Sequence, residues 1–154
     1  MIFQIFYDIN IDNIENFLTM QIKTFCNYLV SMYLYTDMLK WIHLSTKKHW
    51  IHNYCDQFQN DIREFLDELS EQFFGYYGRP NFSDFSFDQK VEMEEDMAKI
   101  MGKLQDIVTV IQDDVKDNTH LSGIVSIIDD FKGKLGKMVY LSKFDDISSF
   151  ELKK

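Results

Sequence analysis

One proline, six glycines and two cysteines in 154 residues leave this chain few ways to turn sharply or to cross-link. Pro80 is the single proline, and the long segments on either side keep a period near 3.6, which leaves little room for a sheet and predicts an all-α chain. Cys26 and Cys55 lie in helical segments and in no CxxC pair, which excludes a disulfide framework and a thiolate zinc site and reads them as reduced packing residues. No stretch reaches the roughly 20 uninterrupted apolar residues of a membrane helix. The MIFQIFYD start has no basic n-region, so no membrane association is expected and a cytoplasmic location is. Basic patches are also missing. Lys and Arg number 16 against 25 Asp and Glu, a net charge of −9, and the C-terminus offers only Lys153 and Lys154, so direct DNA binding is not expected.

The apolar share, 45%, suffices for one domain with a sizeable core over residues 1–154 and not for two comfortable ones. Residues 1–12 and 144–154 read as terminal extensions. Four helices are expected between them. From Asn13 to Thr46, Leu18, Ile22, Phe25, Leu29, Met32, Thr36, Leu39 and His43 alternate steps of four and three along one seam. After a turn at 45–48, a second helix carries Cys55, Phe58, Ile62, Phe65, Leu66, Leu69 and Phe73 on one face. Gly75, Gly78 and Pro80 open an aromatic connection, and Ser86 with Gln89 is expected to form a capping box starting a third helix that runs to Lys116. Its seam is Val91, Met97, Met101, Leu104, Val108, Ile111 and Val115. Thr119 is the expected N-cap of a fourth, with Leu121, Ile124, Val125, Ile128, Phe131, Leu135 and Met138 inward. The long second connection predicts a four-helix bundle with a crossover between helices two and three, as in ferritin-like folds.

The second helix also carries His52, Asp56, Asp67 and Glu71, at offsets of 0, +4, +15 and +19, within an arc of roughly 100°. Along the axis the two pairs lie on the order of 16 Å apart, too far to share an ion. An antiparallel second copy across a two-fold axis would set His52 and Asp56 of one chain against Asp67 and Glu71 of its partner, forming an N/O metal site in a homodimer. His43, closing the first helix opposite His52, is in reach as a third ligand. The competing reading of the stripe is a solvated face, which His49, Asn60 and Arg63 also occupy.

The run LKWIH, a short turn, then HNYCDQFQNDIREFLDELSEQ resembles the ferroxidase segment of the Dps-like miniferritins of the ferritin superfamily, over about Leu39 to Gln72. The resemblance implies iron ligation by His43, His52 and Asp56 on one chain and by Asp67 and Glu71 on the two-fold-related chain. It also implies oxidation of Fe²⁺ to Fe³⁺ with hydrogen peroxide, iron storage and protection against oxidative stress inside a homo-oligomeric shell, a dodecamer in that family. Zinc and manganese are expected competitors for the ligands. Where the family has a tryptophan after the first histidine this chain has Leu44, and its turn is about three residues shorter. His49 with Trp50 is the alternative frame for the first ligand. The Glu-x-x-His pairs of intra-subunit di-iron bundles are missing. Two other functions stay open: a catalytically silent ferritin-like packaging shell, and a helical protein-interaction adaptor using the aromatic connection from Phe73 to Phe87. Abundant Ile, Phe, Tyr, Lys and Asn fit an AT-rich genome, a viral one included, with the protein then acting in the host cell or the virion.

Overall fold

Long unbroken helices are what a chain so poor in proline and glycine forms, and the computed structural model, which describes residues 11–143 and side-chain surroundings from residue 21, contains four of them. They are α1 (Ile11–Ser45), α2 (His49–Tyr77), α3 (Met97–Val115) and α4 (Ser122–Ser142), and no strand occurs among the described residues. Residues 1–10 and 144–154, most of the expected extensions, lie outside the described residues. Residues 11 and 12, expected in the first extension, belong to α1.

Each boundary has a local cause. α1 runs through 35 residues without a glycine or proline and ends where the Ser45 hydroxyl turns back to the Trp41 carbonyl, 2.8 Å away. The Lys48 N–H donates to the Thr46 hydroxyl oxygen in the three-residue turn that follows. α2 stops at Gly78, whose φ of 102° suits glycine and whose N–H reaches the Phe74 carbonyl, with Pro80 close behind. α3 starts at Met97, later than the sequence pattern predicts. The Ser86 hydroxyl accepts from Asp88 N–H two residues on, so the expected Ser86/Gln89 capping box does not form. A helix through 92–96 would also set Glu92 beside Glu95 and Asp96 at repelling spacings. Asp96 instead caps α3 by accepting from Ala98 N–H at 2.9 Å. A capping box does occur in the connection, between Asn81 and Asp84 around the short 3-10 turn Phe82–Asp84. The expected Thr119 cap is likewise replaced: Asn118 caps a 3-10 turn, Thr119–Leu121, that leads into α4.

The apolar seams meet in one core. Every residue of the predicted α2 face is buried, as are Phe25, Leu29, Met32, Thr36 and Leu39 of α1, Met97 through Val115 on the α3 seam, and Leu121, Ile124, Ile128, Phe131, Leu135 and Met138. Thr36 is accommodated because its hydroxyl donates to the Met32 carbonyl at 2.7 Å. α1 packs along α2, and α3 along α4. Phe25 stacks on Phe73, and Phe65 on Phe131. At one end, the Trp50 indole at the start of α2 donates to the Leu141 carbonyl at the end of α4. At the other, Tyr76 near the end of α2 accepts from Asn118, just beyond α3, and faces His120. No described helix is long and apolar enough to cross a membrane.

Candidate functional site

Antiparallel packing of α1 on α2 across a three-residue turn brings His43 and His52 face to face, with ring centroids 4.0 Å apart and planes 23° from parallel. Each ring is pinned by the other residue's backbone. His43 Nδ1 lies 2.9 Å from the His52 carbonyl oxygen, and His52 Nδ1 lies 3.0 Å from the His43 carbonyl oxygen. A carbonyl can only accept, so both Nδ1 atoms carry the proton and donate. In the neutral rings the Nε2 atoms are then left with their lone pairs, the tautomer a metal ligand requires. His43 is half-buried and His52 exposed, so the pair opens to solvent.

Asp56 sits one turn below His52. Its Oδ1 is 3.6 Å from His43 Nδ1 and 2.9 Å from the Lys40 ammonium. That hydrogen bond from Lys40 holds the Asp56 carboxyl below its ordinary pKa, with smaller help from the charges of His43, Lys40 and His52 against a desolvation cost. A lysine thus stands where a cation would sit beside this carboxylate. Sequence reasoning missed Lys40. The signal was present in the α1 stripe Tyr33, Asp37, Lys40, which keeps helical spacing and aligns with the α2 stripe once the two helices are paired in antiparallel register.

That pairing continues downward. Arg63 binds Asp37 at 2.6 Å, Gln59 donates to the Thr36 carbonyl, and the charge of Asp67, together with burial as the larger cause, raises the pKa of Tyr33. The upper half of the stripe is therefore hydrogen-bonded and ion-paired to α1, while His52, Asn60 and Arg63 stay exposed to solvent. Asp67 and Glu71 are exposed further along α2. The structure brings His43, His52 and Asp56 together and leaves Asp67 and Glu71 apart from them. Among the described residues of one chain, no group of three or more His, Cys, Asp or Glu is arranged to hold a metal ion. His49, the alternative first ligand, is exposed, its Nε2 3.1 Å from the Asn53 amide, and its neighbour Trp50 is engaged with α4.

Both cysteines are buried, and burial pushes each thiol up to about 11, with the charges of Asp84 near Cys26 and Asp56 near Cys55 adding to it. Neither is a thiolate ligand or nucleophile near neutral pH. The aromatic connection divides: Phe85 packs against the core, whereas Phe82 and Phe87 stand exposed.

A family model described as a family of unknown function (DUF5856) matches residues 43–141, more than half of the chain, and the protein belongs to that family. The matched segment begins at His43 and contains all five candidate ligands. No curated protein and no solved structure matches the chain.

Proposed function

We propose that this DUF5856 member is a ferritin-like iron-oxidising protein of the Dps type, with Fe²⁺ as its substrate and a site shared between two chains. The observation that carries the reading is the reciprocal lock of His43 and His52, which aligns two imidazoles and leaves both Nε2 atoms as acceptors. A bond from each ring N–H to a carbonyl is the support that metal-ligating imidazoles usually have. Asp56 supplies a carboxylate beside them once Lys40 yields it to the incoming cation. Asp67 and Glu71, on the order of 16 Å further along α2, reach the pair only from a second copy across a two-fold axis.

The course of the chain supports the ferritin-like part of the reading. Phe73 and Tyr77 near the end of α2 line the same cavity as Ile111 and Val115 near the end of α3, so the two helices finish at one end of the bundle. The connection between them has to travel to the other end before α3 can begin, and a tight up-down turn has no such need.

Two imidazoles and three carboxylates suit Fe²⁺, with Zn²⁺ and Mn²⁺ as competitors. Each peroxide would take one electron from each of two ferrous ions and leave as hydroxide, and the ferric product would pass into the interior of an oligomeric shell. The test is Fe²⁺ oxidation by peroxide near neutral pH, comparing the parent with an Asp67→Ala/Glu71→Ala variant of the same oligomeric mass. Fast oxidation lost in the variant is the expected result; background rates in both overturn the reading.

A second reading, a catalytically silent shell, is favoured by the Lys40–Asp56 contact of 2.9 Å, which already neutralises the carboxylate. Lys40→Met separates the two. It leaves or strengthens Fe²⁺ uptake in an oxidising protein and creates none in a silent one.

A further inference from the structure

Besides the seam it buries, α1 carries a second one on the side turned away from the core. Asn27, Val30, Leu34, Asp37, Trp41 and Leu44 follow one another at steps of three and four, within an arc of roughly 100°. Leu34, Trp41 and Leu44 are exposed on it, Trp41 over 56% of its surface, and Val30 is partly exposed. A tryptophan, two leucines and a valine in one line are more than the scattered apolar residues of an ordinary surface, and they mark a face that packs against something.

The seam is symmetric about its own middle. Leu34 with Asp37, Val30 with Trp41 and Asn27 with Leu44 are each centred between Tyr35 and Thr36. On α2, Asn60 with Arg63, Asp56 with Asp67 and His52 with Glu71 are each centred between Asp61 and Ile62. The hairpin sets the two midpoints level. Gln59 reaches the Thr36 carbonyl and Arg63 reaches Asp37, so the middle of the α2 stripe lies beside the middle of the α1 seam. One straight axis perpendicular to both helices can therefore cross both midpoints, and a two-fold rotation about it lays α1 antiparallel on α1 and α2 antiparallel on α2. Packing within one chain does not require the two seams to share a centre, whereas a second copy does. Charge fits the same partner: the Lys40, His43 and His52 end of one copy meets the Asp67 and Glu71 end of the other, and Asp56 comes to the contact already paired with Lys40.

We propose that the outer face of the α1–α2 hairpin is the two-fold interface of a homodimer, anchored by Trp41 seated against Val30 of the partner subunit, with the two Leu34 side chains meeting near the axis. Two helices side by side over residues 27–44 of α1 offer a flat footprint of roughly 540 Å² per copy, which side-chain relief brings toward the ~800 Å² that each partner of a stable dimer buries. The axis is the one the shared iron site needs, so the proposal rests in part on that reading, but the α1 half of the interface contains no ligand and is tested without iron.

The full chain is sedimented in chelator, and its mass is compared with that of Trp41→Glu. An assembled parent and a smaller Trp41→Glu species of unchanged helical content are the expected result, since the charge would be buried against apolar side chains. Cross-linking with diamide tests the register. Leu34 lies within about 3 Å of the level of the axis, so Leu34→Cys forms a disulfide-linked dimer, whereas Leu44 is on the order of 25 Å from its counterpart and Leu44→Cys does not. Cys26 and Cys55 are buried and stay out of the reaction. A monomeric parent, a Trp41→Glu protein at the parent's mass, or Leu44→Cys linking as readily as Leu34→Cys overturns the proposal. Background iron oxidation by a dimer that Trp41→Glu dissolves overturns the iron reading and leaves this interface standing.

Discussion

At the scale of single residues, the molecule separates groups that are chemically available from groups that are not. Cys26 and Cys55 are in the second class: in the folded protein both thiols resist a disulfide-exchange reagent at pH 8 and react once the chain is unfolded, a difference read directly from the rate of thiol titration. Their raised values also set a sign. The folded state keeps these protons above the ordinary thiol value of 9.0 while the unfolded chain gives them up, so their contribution is fully present below that pH and is lost as pH rises toward about 11. Asp56 runs the other way. Lowered in the folded state, it favours folding above the unfolded carboxylate range and loses that contribution as pH falls through its folded value. Lys40→Met removes the principal cause, so the Asp56 carboxyl titrates at higher pH in that variant, as followed by NMR of the side-chain carbon.

Within elements, stability is concentrated in the α2 face and in the caps. Ile62 is fully buried midway along α2. Ile62→Ala is expected to cost about 2–5 kcal/mol in urea unfolding, the range for truncating a core aliphatic side chain. Asp96→Ala removes the side-chain cap of α3 and is expected to cost about 1 kcal/mol, with faster amide exchange confined to the first turn of that helix. Ser86 with Gln89 and Thr119 both have suitable cap chemistry, yet the side-chain caps that form are Asp96, which accepts from Ala98 N–H, and Asn118, which accepts from His120 N–H. Local sequence offers several caps, and packing of the first buried residue, Met97 for α3 and Leu121 ahead of α4, selects among them.

For the whole molecule, the pairing on which the proposed function turns is between copies. In the proposed function, Asp67 and Glu71 work only across a two-fold axis, so sedimentation at micromolar concentration is expected to give a dimer or a larger closed assembly. A strictly monomeric mass would remove the basis for a shared site. Asp67→Lys/Glu71→Lys brings positive charge against the His43, His52 and Lys40 end of the partner and is expected to shift the assembly toward monomer while leaving the helical content unchanged.

The helical class, the four seams and the stripe of potential ligands were determined by the sequence, because a periodicity of 3.6 is written residue by residue and only burial of one face can use it. The partners across helices were not. That His43 and His52 hold each other by their backbone carbonyls, that Lys40 neutralises Asp56 and that Arg63 is spent on Asp37 depend on the register of α1 against α2, which a turn of three residues and the Phe25–Phe73 stack set together. The cavity around Gln21 and Asp114 depends on more still. Its walls come from three segments far apart in sequence, within residues 21–28, 73–77 and 111–115, and a void between helices is a property of their packing that no single face records.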